Sequence, residues 1–281
     1  MNLNKSQQGV SLIELMIAMT LGVILLVGVV QIFLGSRQTY GVVIGQSQVL
    51  DNGRLALHFM GGAVRKTGYW SDGWTRTYGS DTGLSVASYT GVFDADSYIF
   101  GLNDDTADAN VVDGTDELYV RFNGDDVNVM SNCVGQSISA SQVAVERYYL
   151  RPATGTESLP SLMCETTVLD INVATGSLSA PATPATVIQP LISGIENMQV
   201  LYGERSLASG NNQFLPADGV NSWDMVESVR ISLLAASADT TVTAGRTAGF
   251  TLLDVTTGVP TDNRSRKVFE QLVALRNPNL F

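Results

Sequence analysis

The segment QQGVSLIELMIAMTLGVILLVGVVQIFL, Gln7 to Leu34, decides how this chain is built. Its apolar part, Val10 to Leu34, is about 25 residues long, enough to cross a bilayer core as one helix. The only ionisable side chain within it is Glu14, close to the start. Residues 1–9 read MNLNKSQQG, short and polar, with Lys5 as the one cation. No A-x-A-like cleavage pattern follows the apolar run, so a removable secretory peptide fits poorly and the run is expected to stay in the mature protein. A carboxylate in a membrane helix costs up to roughly 3 kcal/mol at the centre, and is read as functional by default. A cut after Gly9 would free an α-amino group at Val10, a cation able to neutralise Glu14 of the same or a neighbouring subunit. The alternative is a carboxylate at headgroup depth with no special partner.

Beyond Leu34 the pattern turns amphipathic. Leu50, Leu57, Met60 and Val64 fall on one helical stripe with Gly53 in register, while Gln46, Asp51, Arg54 and Lys66 lie on other faces. A continuous helix from Val10 to about Arg65 would be roughly 84 Å long. Gly35, Gly41, Gly45 and Gly53 each weaken it by up to ~1 kcal/mol relative to Ala, so bending or local melting is expected between Gly35 and Gly45.

From Tyr69 onward, turn-forming clusters separate short β-like stretches. The expected strands are Glu117–Phe122, Val127–Met130, Val143–Arg151, Thr167–Val173, Ile195–Tyr202, Val226–Leu234, Gly249–Val255 and Val268–Arg276. Met198, Val200 and Tyr202 share one face, as do Val229, Ile231 and Leu233. Asn103–Thr115 and Ala174–Thr186, the latter with Pro181 and Pro184, read as loops. The fold class is therefore α+β: a long N-terminal transmembrane and stalk helix packed on an antiparallel β-sheet head. The expected divisions are a leader (1–9), a membrane half of the helix (10–34), an amphipathic half (35–66) and a β-rich head (67–281).

Composition narrows the function. The chain has 16 Lys+Arg against 27 Asp+Glu, a net charge of -11, which argues against a nucleic-acid partner. Charged residues make up only 15%, which suits an extracytoplasmic, turn-rich β domain. Cys133 and Cys164 lack CxxC spacing and a ligand cluster, so a disulfide in an oxidising compartment is the natural hypothesis and two buried thiols the alternative. The lone histidine, His58, is read as packed or surface-facing rather than catalytic. GxSxG, HExxH and Walker-type motifs are absent, so no catalytic residue and no metal site is assigned. Asp94, Asp96, Asp104, Asp105, Asp108, Asp113, Asp116, Asp125 and Asp126 make oxygen-rich loops of the kind that hold calcium. None has EF-hand spacing, and solvated loops are the favoured reading. Tyr69, Trp70, Trp74 and Tyr78 read as interface or as core against the helix.

The segment Gln7–Met19 resembles the leader and N-terminal helix of type IV pilins and type II secretion pseudopilins. LISGIENMQVLYG (Leu191–Gly203), WDMVESVRISLLAAS (Trp223–Ser237) and KVFEQLVALRN (Lys267–Asn277) resemble segments of the PilW group of minor pilins, related to the J-type pseudopilins. The resemblance implies cleavage by a prepilin peptidase between Gly9 and Val10, N-methylation of Val10, and an assembly role for Glu14. Val10 departs from the phenylalanine usual there. It further implies a non-catalytic minor pilin at the filament tip, starting pilus assembly with other minor pilins, the major pilin and an inner-membrane platform, and displaying a tip adhesin. The anchor is expected in the bacterial inner membrane through residues 10–34, with the N-terminus cytoplasmic, as Lys5 suggests, and the head periplasmic. The alternatives are a minor pseudopilin of type II secretion and, from another class, a membrane-anchored periplasmic binding protein or enzyme.

Overall fold

The computed structural model describes residues 9, 11–71, 80–82, 84–86, 89–104, 108–155, 157–172, 175, 177–180, 186–206, 210, 212–240 and 248–276. The chain divides into two compact units, Met1–Ile44 and Gly45–Phe281. A single α-helix, α1 (Leu12–Lys66), contributes to both. No melting occurs at Gly35, Gly41 or Gly45: the helix is unbroken. Each glycine costs about 1 kcal/mol at most, while the intervening residues each propagate the hydrogen-bonded ladder.

Within the second unit, the stripe expected on α1 buries Gly53, Leu57, Met60 and Val64 and adds Val49, Ala56, Gly61 and Ala63, while Leu50 is half-buried. Small residues set the distance of approach. A methyl group on Gly53 would run into the Phe269 ring, and one on Gly61 would meet the Gln271 carboxamide at 3.0 Å.

Nine main strands follow: β1 (Ile99–Leu102), β2 (Glu117–Asn123), β3 (Gln142–Arg151), β4 (Ser161–Ile171), β5 (Thr186–Ser193), β6 (Ile195–Arg205), β7 (Asn212–Leu215), β8 (Val226–Thr240) and β9 (Arg264–Ala274). They form two sheets with antiparallel pairing throughout. One has the order β5-β4-β3-β2-β1, with Leu178–Ser179 added beside β4; the other has the order β7-β6-β8-β9. Alternation fixes their inner faces, and Met198, Val200, Val229, Ile231 and Leu233 are all fully buried. Gly101 leaves room between the sheets for the buried ring of Tyr202. That ring packs edge-on to Trp223 at 4.8 Å, and Trp223 lies 5.1 Å from Phe100.

Several expected strand and loop boundaries change. Val127–Met130 is a turn up to residue 129, because the Asp125 carboxylate accepts the N–H groups of Val127 and Asn128 at 2.7 and 3.1 Å and closes the backbone on itself. Gly249–Val255 is a tight hairpin of Thr251–Leu252 and Val255–Thr256, turned by Leu253 at φ 52°. Thr167–Val173 is the end of the longer β4, with Val173 outside the described residues. The loop read to Thr186 ends where β5 begins; Pro181 and Pro184 lie outside the described residues. β5 is absent from the expected strands; it carries Pro190, which a sheet tolerates at an edge, and β5 is an edge strand.

Cys133 and Cys164 are joined by a disulfide with a Cα–Cα distance of 6.5 Å. It ties the loop after β2 to the fully buried middle of β4, and the Cys133 N–H also bonds Glu146 at 2.7 Å. Opening a loop of this size costs about 3–4 kcal/mol on the chain-entropy account. Replacing both cysteines with alanine is expected to lower the Tm of the detergent-solubilised chain by roughly 10 °C. A Tm unchanged by the double substitution would show that the bond constrains nothing.

Candidate functional site

The N-terminal part of α1 presents an uninterrupted apolar surface. Leu12, Ile13, Ile17, Met19, Val23, Ile24 and Leu25 are all more than half exposed in the lone chain. This helix is long and apolar enough to cross a membrane, and its most apolar window is wholly unburied. Glu14 sits in its first turn, exposed, where the helix dipole favours an anion. Gly9 is exposed and open around its Cα, while Val10 lies outside the described residues. Cleavage at Gly9–Val10 and methylation of Val10 therefore stay as expectations of the sequence. So do residues 1–8, including Lys5.

The head holds an ionic centre that the sequence reading missed. Arg147, on β3, clasps Glu117 through two bonds of 2.6 and 2.9 Å. It also reaches Asp108 at 2.9 Å and Glu165 at 3.2 Å. Tyr119 and Tyr149 pack their rings against the guanidinium, at 5.8 and 4.3 Å. Burial opposes the Arg147 charge, but the bond from Glu117 and the surrounding negative charge outweigh it and raise its pKa above the usual range. Burial, then the Glu117 charge, raises the Tyr119 phenol well above its ordinary value. The only hint in the sequence was the string ERYYL, which sets Arg147 between Glu146 and two tyrosines within a strand. A second centre joins Arg266 to Glu196 and Asp262, each at 2.5 Å.

The acidic loops are built into the head. Asp125 accepts the Tyr69 hydroxyl at 2.5 Å, and that bond, with those from Val127 and Asn128, holds its carboxyl below the usual range. Asp126 accepts from the Ala140 N–H, and Asp104 accepts from the Gly114 N–H. Burial opposes the Asp108 charge, yet the Asn110 N–H and Arg147 hold that carboxyl low. Asp105 lies outside the described residues. Among the described residues no three His, Cys, Asp or Glu side chains come together as a metal-ion site. His58 is exposed on α1, beside the Phe59 ring. Tyr69 and Trp70 are half-buried against the core, whereas Trp74 and Tyr78 lie outside the described residues.

Asp116 titrates in the opposite sense. Its carboxylate accepts the Val200 N–H at 2.7 Å across the sheets, while its own N–H donates to Met198 at 3.0 Å. Burial, the largest influence, lifts its pKa from 3.8 to about 7 against the bonds from Val200 and Asp104. The folded value lies above the unfolded one, so between about pH 4 and 7 the folded chain holds a proton that the unfolded chain has released. Stability from this group is greatest at the acid end of that window and falls as pH rises towards 7. Asp108, Asp125 and Asp262, all held low, act in the reverse direction below it: their contribution is lost as pH falls through their folded values. Asp116→Asn is expected to flatten the decline in Tm between pH 4 and 7. An equal slope in the variant would remove Asp116 as its source.

The comparisons with known proteins meet at both ends of this arrangement. The family described as Type IV Pilus-assembly protein W matches residues 147–277, from Arg147 to just past β9. The prokaryotic N-terminal methylation motif matches residues 4–30. The chain belongs to the PilW group of type IV pilus minor pilins. No curated protein matches it. Among solved structures, the type IV-like pilin TTHA1219 from Thermus thermophilus is similar at 16% identity and a TM-score of 0.41, over 82% of this chain and 97% of that one. As a PilW-group pilin the chain is a membrane-anchored structural subunit that interacts with other pilus components. In that setting the exposed apolar helix is an anchoring and assembly surface, and the Arg147 centre is an internal brace of the head.

Proposed function

We propose that this pilin starts type IV pilus assembly as a low-abundance subunit and is carried at the filament tip, in a complex with other minor pilins. The observation that supports this reading is the pairing of Gly9 and Glu14 at the head of an exposed apolar helix with a PilW-type domain on the same chain. A prepilin peptidase removes residues 1–9 and the new N-terminal Val10 is methylated. Residues 10–34 anchor the chain in the inner membrane, N-terminus inward, with the head in the periplasm. Glu14, a costly carboxylate in apolar surroundings, pairs with an α-amino group of its own or a neighbouring subunit as the helices bundle. Inner-membrane assembly components then extend the filament with major pilin, and the head stays at the tip, where a tip adhesin is displayed.

Deletion of the gene, scored for sheared surface pili and for secreted proteins together, tests this reading. Loss of pili with normal secretion is the expected result. Intact pili with exoproteins trapped in the periplasm would transfer the subunit to a type II secretion pseudopilus.

A further inference from the structure

Within the second unit, the part of α1 from Gly45 to Lys66 turns one side to the sheets and leaves large apolar groups in solvent on the other. Leu55 is 44% and Phe59 38% exposed, and Asp51, Arg54 and His58 beside them are exposed as well. Leu55, Phe59 and Gly62 stand at i, i+4 and i+7, so they form one stripe along the helix. Packing inside the head explains Gly61 but not Gly62. A methyl group on Gly61 would meet Gln271 at 3.0 Å, whereas one on Gly62 would meet nothing within 4 Å. Glycine weakens a helix interior relative to alanine, and here it leaves a dent in the exposed stripe. The same segment is cationic in an acidic protein. It holds Arg54, Arg65 and Lys66 against Asp51 alone, while residues 67–281 hold 25 Asp+Glu against 11 Lys+Arg. Lys66 is engaged with Glu146, but neither Arg54 nor Arg65 has an ion pair among the described residues. Arg54, His58 and Arg65, at i, i+4 and i+11, line one flank of the stripe.

We infer that this face of α1 is the docking surface for the acidic head of a neighbouring pilin-type subunit of a different kind. The inference rests on the assembly reading above. Charge decides the partner. A cationic face fits an acidic head of the sort this chain itself carries, and it repels the same face of a second copy. The dent at Gly62 decides the kind of contact. Acyl chains conform to any contour, so an anionic lipid surface gains nothing from a dent. A folded partner can seat one apolar side chain in it beside Phe59, with carboxylates on Arg54 and Arg65. Such a contact covers Leu55 and Phe59, the large apolar groups that this part of the helix exposes. A low-abundance subunit meets other subunits rather than itself, so the head belongs to a different chain.

The test is a photo-crosslinking residue in place of Phe59, in the full-length chain, in cells that assemble filaments. The expected adduct maps to an acidic stretch in the head of another subunit that itself carries an N-terminal methylation motif. An adduct with a second copy, with lipid alone, or none at all would overturn the inference. Gly62→Leu separates docking from folding: it is expected to raise the Tm by about 2–4 °C, because leucine favours the helix, yet to lower the adduct. Arg54→Glu, at an exposed site, is expected to keep the wild-type Tm and lower the adduct at least about fivefold. An adduct undiminished in either variant counts against the surface; if the leucine variant unfolds, Arg54→Glu decides. Pili lost on gene deletion with no adduct at Phe59 would leave the assembly role standing and remove only this surface. The expected adduct with pili intact on deletion would keep the surface and remove the pilus role.

Discussion

Gly9→Val is expected to leave the chain uncut, with residues 1–9 still attached, and absent from filaments. The peptide bond after residue 9 must enter a peptidase site in extended form, and a glycine there removes the side chain that would obstruct it. Gly9 is exposed, and a Cβ added there would meet nothing within 4 Å. The substitution therefore leaves the fold untouched and isolates processing. Intact-mass measurement of membrane-extracted protein reads the result: the wild type is expected to lack residues 1–9 and carry one extra methyl group on Val10, and the variant to keep its leader unmethylated. A variant of normal mature mass would refute the cleavage site. Glu14→Val supplies the complementary case. It is expected to be cut and methylated normally yet poorly incorporated, because it keeps the anchor but loses the anion that docks an α-amine. Wild-type incorporation of that variant would take the docking role away from Glu14.

The second large effect is expected from Arg147→Met, at about 3–5 kcal/mol of destabilisation. Arg147 sits among Asp108, Glu117 and Glu165, and the Glu117 carboxylate has no exposure at all. Removing the cation strands carboxylates that burial already penalises, whereas the methionine itself fits the Tyr119 and Tyr149 rings. Arg147→Lys is expected to recover only part of the loss, since an ammonium cannot make the paired bonds to Glu117. Urea unfolding of the solubilised chain at pH 7 measures it. A loss below about 1 kcal/mol, the range of surface pairs, would reduce the cluster to an ordinary exposed ion pair.

Disulfide, acid and brace act on different links of the same head. The Cys133–Cys164 bond restricts the unfolded chain. Asp116 makes the junction of the sheets sensitive to pH, and Arg147 sets how much charge the outer face of one sheet can bury.

By itself the sequence determined what depends on neighbours along the chain. An apolar run of this length has one stable form in lipid, the helix, because every backbone group must find its partner within the segment. Two-residue alternation likewise committed β6, β8 and β9 to their faces, and the single carboxylate at Glu14 was visible because nothing else in that run is charged. Tertiary structure decided what depends on distant partners. Val127 looks like a strand residue until Asp125 takes its N–H. TVIQPLIS carries no clear alternation, and it becomes a strand because β4 pairs with it at an edge where Pro190 is harmless. Arg147 finds its three carboxylates on β2, on β4 and in the loop before β2, separations no local pattern encodes. The place of β9 is likewise a property of strand order: its residues read like those of its paired neighbours, and only the arrangement of the sheet puts it last in the order β7-β6-β8-β9.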